Sequence, residues 1–248
     1  MTILFYDIAS KVGAHNPNAW KARFTLNYKG IPYKTQWTQY VDIEKVSREK
    51  GIPPSDAPHP ETGGIFYTLP AIFDESTGVG VSDSHKIAEY LDKNYPDTPK
   101  VIIPGTEALQ IAFTKSFMPH LSAMWQFVLP ANIEALDHQE SKEYFYKTRS
   151  SRFGADIKTM NPTGAAREEA FNDLKDGLDK IDQLLLKSKG PYVMGETVSF
   201  ADFAVGGWLK WMQILFGKDS EEWKRVSSWN EGRWGERLER LDKYAQAD

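Results

Sequence analysis

The chain has 248 residues, 41% hydrophobic and 26% charged, an ordinary globular composition long enough for two packed units. A formal net charge of −4, with no run of five like-charged lysines and arginines, argues against binding to a phosphate backbone, so no nucleic-acid partner is expected. Cysteine is absent, which excludes disulfides, thiolate metal sites and a protein thiol nucleophile; sulfur chemistry has to arrive with a ligand.

The start, MTILFYDIAS, lacks the basic segment and long apolar core of a secretory signal and reads as a strand over residues 3–8. No run of 18 apolar residues occurs, so no membrane span is expected and the protein reads as cytoplasmic. A Gly/Asn/Pro stretch follows at 13–18, with Pro17 suited to a first helical position, where its missing N–H costs nothing. Trp20, Phe24 and the residues from Leu26 to Tyr28 fall at helical spacing, and Gly30 stops that helix. PYKTQWTQY then alternates as a second strand, completing a β-α-β unit.

Residues 42–64 are polar and rich in proline and glycine, and read as a surface excursion with a short helix near Ile43–Lys50. FYTLPAIFD is a third strand interrupted by Pro70, DESTGVGVSD a hairpin turn with a fourth strand, and Ser84–Asn94 a helix. From about Thr106 onward every periodic segment is helical. The fold class is therefore a small α/β unit followed by an all-α one, divided as residues 1–97 and 106–248. Residues Ala112 to Val128 carry the spacing of one long inner helix, and WGERLERLDKYAQAD at the C-terminus reads as a solvated helix and tail.

Three segments carry a family likeness: YTLPAIFD (Tyr67–Asp74), VSDSHKIAEYL (Val81–Leu91) and GETVSFADFAVGGWL (Gly195–Leu209). Together, in this order, they resemble the glutathione transferase family, which implies an N-terminal thioredoxin-like domain, a C-terminal all-helical domain and glutathione as co-substrate. The likeness implies a cis bond before Pro70, turning the Leu69 backbone toward the ligand, where it pairs with a peptide like an added strand. It also implies that Asp83 and Ser84 hold the zwitterionic γ-glutamyl end: the carboxylate at free helix N–H groups, the ammonium at Asp83. By residue type alone the same pair is a plain helix cap, with Ser84 at the cap position. SFAD, Ser199 to Asp202, is a capping box and is assigned to structure.

A narrower likeness lies in PNAWKARFTLNYKGIPYKT (Pro17–Thr35) and EYFYKTRSSRFG (Glu143–Gly154). These are similar to the fungal-specific class A glutathione transferases and the bacterial β-aryl etherases. What this implies is action on aromatic ethers or other phenolics, including lignin-type β-aryl ethers; the wider family likeness implies a two-fold homodimer, whose arrangement varies in the fungal group. The same group also carries polyphenols without transforming them, so a ligand carrier is the alternative reading.

Members of this group place Ser or Cys four residues before the first helix's tryptophan; here that position, counted from Trp20, is Asn16. A thiol of pKa about 8.5 is roughly 3% ionised at pH 7, and lowering it by about two units takes about 2.7 kcal/mol of preferential anion stabilisation. A hydrogen bond to a charged group supplies about 1.5–3 kcal/mol, and a helix N-terminus roughly 0.3–1 kcal/mol. The Asn16 amide offers two donor hydrogens and can stand in for a hydroxyl, with Asn18 as a second donor. Asn is equally a favoured N-cap at any helix. Ser10 is a rival thiol partner, whereas Lys11 and His15 read as solvated loop residues.

For the acceptor, the candidate wall is Phe117, His120, Met124 and Trp125, with Trp208, Trp211 and Phe216 behind them. Such a wall would favour flat aromatic ligands by stacking. The five histidines form no HxxxH or HxH pattern, so no metal is expected.

Overall fold

The computed structural model describes residues 2–247. Strand β1 (Ile3–Ile8) leads through helix α1 (Pro17–Lys29) to β2 (Tyr33–Thr38), and a turn and short helix α2 (Ile43–Glu49) lead to the hairpin β3 (Ala71–Asp74) and β4 (Val79–Ser82) and to α3 (Ser84–Asn94). The sheet order is β2-β1-β3-β4, with β1 parallel to β2 and antiparallel to β3. The period of two in β1 sorts its side chains between two cores. Ile3 and Phe5 meet Ala19, Ala22 and Leu26 of α1 and Ile87 and Leu91 of α3. Tyr6 and Ile8 face the other way, onto Leu129, Ile133 and Phe145 of the helical region. The sheet is thus covered on both faces, the second by the C-terminal half of the chain.

That half contains α4 (Glu107–His120), α5 (Trp125–Ala135), α6 (Gln139–Phe153), α7 (Gly164–Leu185), α8 (Phe200–Phe216), α9 (Glu221–Ser228) and α10 (Arg233–Glu239). Helix α8 opens on the expected capping box between Ser199 and Asp202. It lies against α1, where Phe203 stacks on Phe24 at 5.7 Å between ring centroids. Contact this close requires Gly207: a Cβ there would lie 2.5 Å from the Pro17 carbonyl oxygen.

Two expectations are corrected. The single helix over 112–128 is two, α4 and α5, joined by a tight turn at Ser122–Met124. Pro119 cannot donate to the preceding turn, and the His120 carbonyl seats against Gly177 of α7, a contact only a glycine admits. Nor is the C-terminus a solvated tail. Trp234, Leu238 and Leu241 fall at i, i+4 and i+7 and are buried, while Glu236 and Glu239 between them are exposed. The end of the chain docks on the first unit: Asn27 Nδ2 donates to the carbonyls of Tyr244 (2.7 Å) and Gln246 (2.9 Å).

Candidate active site

A cleft of about 290 Å³ opens where the start of α1 and the β3–β4 end of the sheet meet α5, α6 and α8. Asn16 caps α1 with its side chain: Oδ1 accepts from the backbone N–H of Asn18 at 3.0 Å and of Ala19 at 3.5 Å. That fixes the amide's orientation, because only the oxygen can accept. Nδ2 has no protein partner among the described residues, and Asn16 lines the cleft. The two readings of Asn16 are therefore compatible: one end of the amide caps the helix and the other is left to a ligand.

The Leu69–Pro70 bond is cis. Among the described residues the Leu69 backbone N–H and C=O are unpaired, and both residues line the cleft. Beyond them, Asp83 rather than Ser84 caps α3: its Oδ1 accepts from His85 and Lys86 N–H at 2.8 and 3.1 Å, and Ser84 is the first helical residue. Both residue types cap well, so composition alone does not choose between them. Asp83 holds a left-handed backbone, φ 76°, which L-residues adopt at some cost and which concentrates at functional positions. Its Oδ2 is unpaired among the described residues. At three places, then, backbone or cap groups leave polar atoms unclaimed around one cleft.

Ser10 is spent in its own loop, donating to the Gly13 carbonyl at 2.8 Å and accepting from Val12 N–H, and it does not line the cleft. Lys11 is exposed, as expected. His15 is not a solvated loop residue: it is 1% exposed. Burial pushes its pKa down to about 4, against weaker support from the Gly13 carbonyl and Asn132, so it is neutral at pH 7 and adds no positive charge.

Helices α5 and α8 contribute Trp125, Trp208 and Trp211, whose rings meet edge to face with centroids 5.6–5.9 Å apart. Trp211 is held by its indole N–H, which donates to Asn132 Oδ1 at 3.1 Å. Helix α6 closes the mouth with Tyr144, Phe145, Arg149, Arg152 and Phe153. Tyr40 joins them from the turn after β2, held by its backbone N–H on Ser141 Oγ at 3.1 Å. The Arg149 guanidinium lies 4.7 Å from the Phe145 ring centre.

The chain matches the family profile described as "Glutathione S-transferase, N-terminal domain" over residues 16–94 and that described as "Glutathione S-transferase, C-terminal domain" over residues 108–244. The chain belongs to the glutathione S-transferase family. Its first unit is the thioredoxin-like domain of that family and its second the all-helical one. A glutathione S-transferase of Ceriporiopsis subvermispora, crystallised in complex with glutathione, superposes with a TM-score of 0.92 at 39% identity, covering 99% of this chain and 98% of that one. Glutathione transferase GSTFuA3 of Phanerochaete chrysosporium gives 0.92 at 35%, covering 100% and 99%. The glutathione S-transferase-like protein ustS of Aspergillus flavus is 31% identical over 92% of this chain and 85% of its own length.

Within this transferase the structure gathers Asn16, Asn18, Leu69, Pro70, Asp83, Ser84 and Trp125 around one cleft. It does not bring Phe117, His120 or Met124 there. Phe117 and Met124 are buried in the helical core with Leu174 and Leu178 of α7, and His120 ends α4 with its carbonyl against that same helix. The break after Pro119 turns this segment away from the cleft. Phe216 likewise stays with Phe127 and Phe171. The α6 residues were the ones missed as lining. Their signal was present in EYFYKTRSSRFG: Tyr144, Phe145, Arg149, Arg152 and Phe153 share one helical face. From the 42–64 excursion, Ile43, Ser55 and Ala57 reach the cleft. No helix is long and apolar enough to cross a membrane, and no group of three or more His, Cys, Asp or Glu forms a metal site, among the described residues.

Proposed function

We propose that this transferase binds reduced glutathione along the wall formed by Leu69, Asp83 and Ser84, ionises its thiol at Asn16, and delivers the thiolate to an aromatic electrophile. The observation that carries the reading is the divided Asn16 amide: its oxygen is consumed by the α1 cap, so its N–H donors are the free end, in a cleft that three tryptophans also line. The donor and the helix end together supply about the 2.7 kcal/mol that a two-unit drop in thiol pKa takes. The unpaired Leu69 N–H and C=O suit the cysteinyl peptide group, and the free Oδ2 of Asp83 suits the glutamyl ammonium.

The flat tryptophan wall suits a phenolic acceptor, and we assign the chain to the fungal class A and β-etherase-like group on its Pro17–Thr35 and Glu143–Gly154 segments. With a β-aryl ether, the sulfur lone pair attacks the carbon bearing the aryloxy group. The C–S bond forms, the C–O bond breaks, and the leaving phenolate takes a proton from water. The thiol's own proton leaves earlier to solvent, so no general base is needed. We take 1–97 and 106–248 as the working domains.

The test is a UV difference titration of thiolate absorbance with glutathione, run on wild type, Asn16→Ser and Asn16→Ala. A bound-thiol pKa well below the free value, retained in Asn16→Ser and raised in Asn16→Ala, supports the reading and justifies screening aryl ethers. Tight binding with no thiolate at neutral pH would leave a carrier of phenolics or conjugates.

A further inference from the structure

Lys21 sits one turn into α1 and is 6% exposed. Its Nζ donates to Asn18 Oδ1 at 2.8 Å and lies 5.0 Å from the Trp208 ring centre. No carboxylate stands within salt-bridge distance among the described residues; Asp83 at the cleft rim acts on it only through space. Helix α8 walls the side chain in, since even a Cβ on Gly207 would come within 3.2 Å of Lys21 Cγ. Burial pushes its pKa down to about 8, so it is charged at pH 7. A buried cation held only by a neutral amide and the face of an indole ring is expensive for a fold.

Its bond to Asn18 has a consequence at the cleft. With Oδ1 turned to Lys21, the Asn18 amide is fixed, and Nδ2 is its remaining polar atom, without a protein partner among the described residues. Asn18 lines the cleft beside Asn16, and its backbone N–H is tied to the Asn16 side chain. A charge on the oxygen side of an amide polarises it and strengthens the N–H on the other side.

We propose that Lys21 is a positioning residue for the glutathione thiolate, acting through Asn18. It holds the Asn18 amide with Nδ2 toward the sulfur and lends it positive charge, so that Asn16 and Asn18 grip the thiolate as a pair. The inference rests on the proposed function above, because it needs glutathione seated with its sulfur at the start of α1.

The experiment is the same thiolate titration on Lys21→Met, Asn18→Ala, the double variant and Asn18→Asp, with the glutathione dissociation constant and thermal midpoint measured alongside. Lys21→Met is expected to raise the bound-thiol pKa by about one unit, and to add almost nothing in the Asn18→Ala background. Asn18→Asp keeps Lys21 paired and the volume unchanged but removes the donor and neutralises the cation, so it is expected to raise the pKa further; it reports even if Lys21→Met does not fold. A weaker glutathione affinity with an unmoved thiol pKa would assign Lys21 to a glutathione carboxylate and overturn the proposal. A full shift persisting without Asn18 would overturn the route through it. If the wild-type thiol is not lowered at all, the proposed function itself fails, an outcome separate from either.

Discussion

Helix α1 buries a lysine near each end, and the two are kept in opposite ways. Lys29, in the last turn, is 3% exposed and meets Asp92 Oδ1 at 2.6 Å and the Pro99 carbonyl at 3.0 Å. Asp92 in turn accepts from Val101 and Ile102 N–H at 3.1 and 2.8 Å, so the pair ties α1, α3 and the interdomain segment into one joint. Lys21 is almost as buried, yet its partners, the Asn18 amide and the Trp208 ring, are both neutral, and it has no such joint to hold. Where a buried charge is fully compensated by the fold, its work is structural. Where it is left short beside a cleft, its complement is expected from the ligand.

The largest effect should separate the two lysines outright. Lys29→Met strands the buried Asp92 carboxylate, and breaking such a pair from one side costs about 3 kcal/mol. Denaturant unfolding should show that loss, while the bound-thiol pKa stays at the wild-type value. A thiol shift in Lys29→Met would erase the distinction between the ends of the helix.

Next comes the helix start alone. Asn16→Asp preserves an oxygen for the Asn18 and Ala19 N–H groups, so the cap survives and stability changes by less than about 1 kcal/mol. It replaces the free donor with negative charge. Conjugation of an aromatic electrophile should fall about 100-fold in kcat/KM, which corresponds to about 2.7 kcal/mol of lost anion stabilisation. Retained activity would show that the Asn16 donor is not what ionises the thiol.

Lys21 should also appear in the pH dependence of stability. Its folded pKa of about 8 lies below the ordinary lysine value of 10.5. Between these the unfolded chain holds more protons than the folded one, so stability rises with pH across that window. Measured against Lys21→Met, wild type should gain on the order of 2 kcal/mol from pH 8 to 10.5. Below pH 8 both states are protonated and the burial penalty is fully present, so Lys21→Met should be no less stable than wild type at pH 7.

How much of this was legible beforehand depended on whether the cause was local. The boundaries of α1 follow from Pro17 and Gly30, and the α8 start from the Ser199–Asp202 box, because each residue acts on backbone within one turn of itself. The cis bond before Pro70 and a cap at the start of α3 were legible for a related reason: such signals are short. The α4–α5 break was hidden, since the aromatic spacing runs on through it and its cause includes Gly177, distant in sequence. Polar and charged residues misled in two places: His15 and the Arg/Glu-rich C-terminal helix both read as solvated, and each is covered by an element that no local pattern announces.

The smallest effect tests that last point at the loop preceding Asn16. His15 keeps a neutral ring in the fold down to about pH 4, whereas a free histidine titrates at 6.5. In that window the unfolded chain binds the extra proton, so stability falls as pH drops from 6.5 toward 4. At pH 5.5 the loss is about 1 kcal/mol. His15→Gln cannot take up that proton, so its urea midpoint should show a shallower decline over the same range whatever its absolute stability. An identical slope in wild type and variant would mean that the histidine is accessible to protons in the folded state. The loop that carries Asn16 would then be far looser than its burial implies, and a fixed amide could not be expected to hold a thiolate there.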